Sequence, residues 1–403
     1  MNEWRQSTWG DEVTLEYGKA LRDYSETAGR VRVFGTNGPI GWTDTALAPG
    51  PGVVLGRKGA YRGVRYSREP FFVIDTAYYV VPKAKLEMRW LYYAIIHHQL
   101  GLIDDGSPIP STTRAAVYPR AIAVPPLAEQ HAIVGILGAL DDKIEQNRRT
   151  ALALERLARA TFRAWFVDFE PVKAKAAGAT AFPSMPQPVF DALPTSFVDS
   201  DIGPVPDRWE ISTVGNCASY LSRGIAPRYV EDVGVLVLNQ KCIRDFAVDY
   251  RKARRHDNLA RRIDGREIQI GDVLINSTGV GTLGRLAQVL HLPEAAVVDT
   301  HVTVVRPRSG ISVSYFGQAL ISMQTHIESL GEGSTGQTEL NRRKISELKL
   351  LVPTTPLMDA YQHFASPLME YVSQIRLEDS RLANLRDYLL PKLLSGQVRA
   401  GAE

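Results

Sequence analysis

Read for apolar spacing, the chain is organised around one stretch, residues 125–169, PPLAEQHAIVGILGALDDKIEQNRRTALALERLARATFRAWFVDF. From Ile133, the positions Leu137, Leu140, Ile144, Asn147, Ala151, Leu154, Ala158, Thr161 and Trp165 follow at alternating steps of four and three. That 3.5-residue repeat keeps one narrow seam turned toward a partner helix. Pro125 and Pro126 stand where a helix can begin, and no breaker intervenes before Pro171. At about 1.5 Å per residue the predicted helix is roughly 60 Å long, which suits a spacer better than an element of one compact domain. Asn147 on the seam has two readings: a polar residue that fixes helix register, or a solvent-facing Asn at a loosely packed turn.

Before this helix, residues 1–124 alternate short apolar segments such as Arg30-Val31-Arg32-Val33-Phe34 with many glycines and prolines. The pattern predicts strands and loops, with one helical patch at about Met88 to Leu100. After it, residues 171–206 are rich in Ala, Pro, Ser and Asp and read as a linker. Beyond Trp209 the earlier pattern returns. Gly52-Val53-Val54-Leu55 is matched by Gly271-Asp272-Val273-Leu274, Ile74-Asp75-Thr76 by Val298-Asp299-Thr300, and Ser111-Thr112-Thr113-Arg114 by Glu339-Leu340-Asn341-Arg342. Val124-Pro125 aligns with Val352-Pro353, and the same offset carries the first seam onto Tyr361, Ala365, Leu368, Val372, Ile375, Asp379, Leu382, Arg386, Leu389 and Leu393. Asp379 and Arg386 interrupt this second seam. A globular domain followed by a long helix is therefore expected twice, with the two helices pairing antiparallel.

Composition narrows the class. A chain of 403 residues has bulk for two or three domains, and 23% charged residues is ordinary for a soluble protein. Cys217 and Cys242 are too few for a disulfide framework and form no C-x-x-C, which fits a reducing cytoplasm. The opening MNEWRQSTWGDE has no apolar core, so no signal peptide is expected, and the apolar run Ala132 to Leu140 is too short to cross a bilayer.

Signatures of catalysis are few. The chain has no phosphate-binding G-x-x-x-x-G-K-[ST], no H-E-x-x-H and no G-x-S-x-G. Gly279-Val280-Gly281-Thr282-Leu283-Gly284 satisfies G-x-G-x-x-G, but the strand-like Arg285-Leu286-Ala287-Gln288-Val289-Leu290 follows it where a dinucleotide site needs a helix, so a hairpin or loop is expected. His97-His98 has no carboxylate at ligand spacing and reads as structural. The recurring Asp75 and Asp299 read as structural hydrogen-bonding groups.

Basic residues carry more. Residues 57–68, RKGAYRGVRYSR, hold five positive charges and no acid, with Tyr61 and Tyr66 between them. Residues 241–266 hold nine basic residues against Asp245, Asp249, Asp257 and Asp264, leaving five net positive charges. One such run would read as a solvated face. Two, one in each copy, point to a nucleic-acid backbone, with Arg also able to read guanine edges.

The chain resembles the specificity subunit of type I restriction-modification systems. The likeness lies in Val124-Pro125-Pro126-Leu127-Ala128-Glu129-Gln130 entering the first helix and Ala164-Trp165-Phe166-Val167-Asp168-Phe169-Glu170-Pro171 leaving it. It continues in Asn239-Gln240-Lys241-Cys242-Ile243-Arg244, in Gly271 through Arg285, and in Leu393-Leu394-Ser395-Gly396. It spans nearly the whole chain and is weakest before Pro51.

The resemblance implies an α+β fold, with two globular α/β target recognition domains alternating with two long helices that pair as an antiparallel coiled coil. The expected division is target recognition domain 1 at 1–124, spacer helix 1 at 125–170, linker at 171–206, target recognition domain 2 at 207–352, spacer helix 2 at 353–396 and a tail at 397–403. The implied role is a non-catalytic DNA-reading subunit for a bipartite, asymmetric site; a stand-alone DNA-modifying enzyme with degenerate motifs is the alternative. Implied partners are double-stranded DNA, two methyltransferase subunits that carry S-adenosylmethionine, and a restriction subunit that uses ATP and Mg. No cofactor, metal or membrane is expected on this chain. Candidate DNA contacts are Arg57, Lys58, Tyr61, Arg62 and Arg65 in the first copy. In the second they are Asn239, Gln240, Lys241, Arg244, Arg251, Lys252, Arg254, Arg255, Asn276, Thr278 and Arg285. The aromatic cluster Phe162, Trp165, Phe166 and Phe169 is the candidate partner contact at the helix end, with Trp165 and Phe166 expected to pack against either the linker or a methyltransferase subunit.

Overall fold

Fully apolar runs of four to six residues suit strands covered on both faces. Gly52–Gly56 and Val273–Asn276, buried at every position, are such strands. The computed structural model describes residues 4–104, 106, 108–263, 265–279, 281–332 and 339–400. The chain divides into two units, the first comprising Met1–Asn147 and Leu377–Glu403, the second Arg148–Arg376.

In the first unit, Val13–Tyr17, Ala77–Pro82, Gly52–Gly56 and Val64–Ser67 form an antiparallel four-stranded sheet in that spatial order. A three-stranded sheet orders Gly38–Thr43, Val31–Gly35 and Phe71–Val73, the last pair parallel. Arg5–Thr8 pairs with Ala121–Val124. The helix Met88–His97 falls on the predicted helical patch and buries Trp90, Leu91, Tyr93, Ala94 and Ile95.

The second unit repeats the plan. Ala218–Arg223, Val302–Pro307, Val273–Asn276 and Leu286–Gln288 make the four-stranded sheet. Tyr229–Val230, Arg254–His256, Val235–Leu238 and Ala296–Val298 make the second sheet, again ending in a parallel pair. Glu210–Thr213 pairs with Lys349–Val352 as Arg5–Thr8 pairs with Ala121–Val124. Even the tight spots recur. A Cβ on Gly18 would lie 2.1 Å from the Ile74 carbonyl oxygen, and one on Gly224 would lie 1.8 Å from that of Val298. Only glycine lets the chain pass the end of the parallel strand so closely.

Two 40-residue helices, Leu127–Phe166 and Thr355–Leu394, follow the two sheet assemblies in sequence. The seam residues Ile133, Leu137, Ile144, Asn147, Ala151, Ala158 and Trp165 are buried, as are Tyr361, Ala365, Val372, Ile375 and Leu393. Partner numbers fall as helix numbers rise, within each unit, so the helices run antiparallel. In the first unit Asp141 meets Arg386 and Asn147 meets Glu378 and Asp379; in the second Glu155 meets Arg376 and the Ala158 carbonyl meets Tyr361. Asn147 is thus the register-bearing residue of the two readings: 4% exposed, it donates at 2.8 Å to Glu378 and 2.9 Å to Asp379. The two breaks in the second seam, Asp379 and Arg386, are met by Asn147 and Asp141.

Two expectations are corrected. Residues 171–206 are not a free linker: Val172, Met185, Phe190 and Leu193 are buried in the core of the second unit. Four apolar anchors outweigh the prolines, which fall at turns and at starts of short helices such as Glu170–Ala176 and Gln187–Asp191. Of the two packings expected for the aromatic cluster, the one found is within the chain, beside Val172, Met185, Phe190 and Leu193, and not a patch left for a partner. Phe162, Trp165 and Phe166 are 4%, 2% and 4% exposed, packed with Tyr315, Tyr361 and Trp209 in the same core, and the half-buried Phe169 rests on Phe197 and Trp209. The helix end is covered by its own unit, so these side chains offer no free surface to a partner.

Candidate nucleic-acid interface

In each unit three strand ends converge: both members of the parallel pair and the central strand of the four-stranded sheet. Their terminal residues form the candidate site. In the second unit Asn239 ends Val235–Leu238, and its side-chain oxygen accepts from the Lys241 N–H at 2.8 Å, capping a short 3-10 turn. Asn276 ends Val273–Asn276, is fully buried, and donates through Nδ2 to the Gln240 carbonyl at 3.1 Å. Among the described residues its Oδ1 has no hydrogen-bond partner, and Asn276, at 0% exposed, is corrected as a surface contact: it holds the Gln240 turn in place. Thr278 Oγ1 lies 2.6 Å from His301 Nδ1 and donates to Gln240 Oε1 at 3.4 Å. His301 donates its backbone N–H to Asp299 Oδ1 at 2.9 Å, and burial pushes the Asp299 carboxyl above its ordinary range. Amide, hydroxyl and imidazole groups are thereby held at one edge. These are the groups that exchange hydrogen bonds with base edges.

The hairpin expected at the glycine run is present. Residues 277–285 join Val273–Asn276 to its antiparallel neighbour Leu286–Gln288, with Gly279, Gly281 and Gly284 at positive φ; Val280 lies outside the described residues. Arg285 is half-buried, and its carbonyl accepts from the Asn276 N–H.

The basic run of the second unit is partly neutralised. Arg251 pairs with Asp249 at 2.9 Å, and Lys252 lies 3.9 Å from the same carboxylate. The Arg255 guanidinium takes Glu294 at 2.8 Å and the Gly234 carbonyl, and that partner holds the Glu294 carboxyl below its usual range. Arg254 is exposed, with its guanidinium 3.4 Å from the centre of the Tyr229 ring, a cation–π contact. Lys241 and Arg244 are exposed, Arg244 beside the equally exposed Asp245 at 3.6 Å. Asp264, counted with this run, lies outside the described residues.

In the first unit the matching strand ends carry different chemistry. Arg57, following Gly52–Gly56, donates to the Asp75 carbonyl at 3.0 Å and stands 5.1 Å from the Tyr17 ring centre. Asp75 is therefore met through its backbone, whereas its counterpart Asp299 uses its carboxylate. Lys58 is exposed and forms a bridge with Ser111, the counterpart of the Thr278–Glu339 bridge in the second unit. Tyr61 is 79% exposed. Arg65 is exposed and donates to the Asn37 carbonyl at 3.1 Å. Arg62 is corrected as a surface contact. It is 8% exposed, and its guanidinium is spent on the carbonyls of Gly59, Gly101 and Ile103 and on Thr112 Oγ1. A buried Arg with four acceptors staples its loop and has little left for a phosphate.

Five further residues at these strand ends escaped the sequence reading: Tyr17, Arg114, Arg223, His301 and Arg342. Arg114 donates to the Leu15 carbonyl at 2.7 Å and lies 4.4 Å from the Tyr17 ring centre. The repeat itself was the missed signal, since Arg114 and Arg342 fall opposite one another and His301 follows the matched Asp299.

The family described as "Type I restriction modification DNA specificity domain" matches residues 7–156. The chain is similar to the type I restriction enzyme HindI specificity subunit of Haemophilus influenzae, 23% identical over 380 residues and 81% of each chain. It is also similar to the MjaIX specificity subunit of Methanocaldococcus jannaschii, 22% identical over 79% of this chain and 71% of that one. Among solved structures, its fold is similar to a type I restriction-modification system S subunit from M. genitalium, with a TM-score of 0.61, 16% identity, and coverage of 97% and 96% of the two chains.

Proposed function

We propose that the chain is a specificity subunit of a type I restriction-modification system, like the relatives it resembles, and that it reads a bipartite, asymmetric DNA site, one half with each unit. One observation carries this reading. The same convergence of strand ends is built twice, but with Arg57, Lys58 and Arg65 in one unit and Asn239, Gln240, Thr278 and His301 in the other. Similar scaffolds presenting different donors and acceptors select different bases. Arginine favours guanine O6 and N7, whereas Asn and Gln favour adenine N6 and N7. Lys241, Arg244 and Arg254 supply backbone contacts around the second cluster.

Two methyltransferase subunits, which would carry S-adenosylmethionine, dock on the long helices, and a restriction subunit using ATP and Mg completes the assembly in the cytoplasm. With the aromatic cluster buried, the docking surface passes to apolar residues the helices leave exposed. These are Ile136, Leu385 and Tyr388 in the first unit, and Leu152, Leu157 and Tyr371 in the second.

The test is methylation mapping of cellular DNA with and without this gene. Two unlike half-sequences separated by an unread gap are expected, both lost together on deletion. A contiguous or palindromic motif would refute the assignment of one unlike half to each unit.

A further inference from the structure

Beside the base-reading cluster of the second unit lies a recess lined by Ser222, Arg223, Gly224, Arg266, Glu339 and Arg342. Three guanidiniums border it and one carboxylate answers them. Glu339 forms an ion pair with Arg223 Nη1, and Arg223 Nη2 donates to the Leu340 carbonyl at 3.0 Å. The remaining Arg223 nitrogen, Nε, is buried with no hydrogen-bond partner among the described residues. Arg266 is exposed, and among the described residues its guanidinium donates to the Arg223 carbonyl alone, at 3.4 Å. Arg342 is exposed, and its side chain has no hydrogen bond or ion pair among the described residues. Two positive charges are thus left over, next to an N–H that lacks an acceptor.

The recess adjoins the strand ends directly. Glu339 bridges to Thr278, the Leu340 N–H donates to the Ser277 carbonyl, and Ile225 bridges to Asp299. Strand pairing places Tyr17 of the first unit opposite Tyr78 and Arg223 of the second opposite Thr303, so the two occupy matching positions ahead of Gly18 and Gly224. In the first unit the two arginines Arg57 and Arg114 rest against the Tyr17 ring, and Arg114 is committed to the Leu15 carbonyl. In the second unit an arginine replaces that tyrosine, and the counterpart of Arg114, Arg342, is uncommitted among the described residues.

We propose that the Arg223–Arg266–Arg342 recess holds one phosphate of the DNA backbone and thereby fixes the strand against Thr278, His301 and Gln240. The first unit fills the matching place with its own aromatic–guanidinium contacts. This inference rests on the DNA-reading function proposed above. A phosphate fits the arrangement because its oxygens can accept from several guanidiniums at once.

The experiment measures affinity of the full chain for a non-specific duplex between about 50 and 200 mM salt. Arg266→Gln combined with Arg342→Gln should lower the slope of log K against log salt by about 0.9, the value for one phosphate. Glu339→Gln, which removes the one carboxylate among the described residues lining the recess, should tighten binding and steepen the slope; a merely structural glutamate would weaken it. A wild-type chain with a steep slope and a double variant that keeps it overturns the recess and leaves the DNA-reading function standing. A wild-type chain with no salt-dependent duplex affinity overturns that function and this inference with it.

Discussion

Replacing Phe166 with Ala separates a core residue from a partner contact. The Phe166 ring lies 4.9 Å from Tyr315, 5.1 Å from Phe162, 5.4 Å from Tyr361 and 6.1 Å from both Trp165 and Trp209, centre to centre. Only 4% of it is exposed. Truncating a Phe so enclosed costs about 3–5 kcal/mol, because the transfer energy is lost and the surrounding rings cannot close the cavity. At about 1.4 kcal/mol per factor of ten, a loss of 4 kcal/mol is roughly a thousandfold shift in the local folding equilibrium. Native-state hydrogen exchange reads this unit by unit. Amides of Val273–Asn276 and Val302–Pro307 should lose protection by about that factor, while those of Gly52–Gly56 and Ala77–Pro82 keep theirs. Unchanged protection in the second unit would refute the burial argument.

Asn147→Asp would set a third carboxylate against Glu378 and Asp379 in place of the shared donor. It should cost about 1–3 kcal/mol at neutral pH, and the loss should be relieved on acidification, because the new carboxyl titrates above its ordinary range; thermal melts across pH check both. In the first unit, Arg5 hydrogen bonds at 2.6 and 2.9 Å, together with Ser7, hold the buried Glu12 carboxyl below its usual range. Its contribution is present above the unfolded value of about 4.3 and is lost as pH falls through the lower folded one, so Glu12→Gln should flatten the acid limb of the first unit's stability.

Much of this protein was determined by local sequence. A 3.5-residue seam can face only one partner line, so Ile133 through Trp165 and Tyr361 through Leu393 specify paired helices wherever they occur. The repeated Gly-apolar runs specify the same strands twice, and the helix Met88–His97 was legible from its apolar spacing. What the tertiary structure decided was the fate of individual polar and aromatic side chains. Arg62 reads in sequence like its neighbours Lys58 and Arg65, but three acceptors from the distant Gly101, Ile103 and Thr112 join the nearby Gly59 carbonyl around it and bury it. Phe162 and Phe166 look like an exposed helix end until Tyr315, Tyr361 and Trp209 close over them. The proline-rich stretch looks like a linker until Phe190 and Leu193 find the same core. Arg223, Arg266 and Arg342 stand far apart in the chain and become one recess only through strand pairing. Apolar periodicity is a local property and survives in the sequence, whereas the charge and burial at a point in space sum over groups that only the fold brings together.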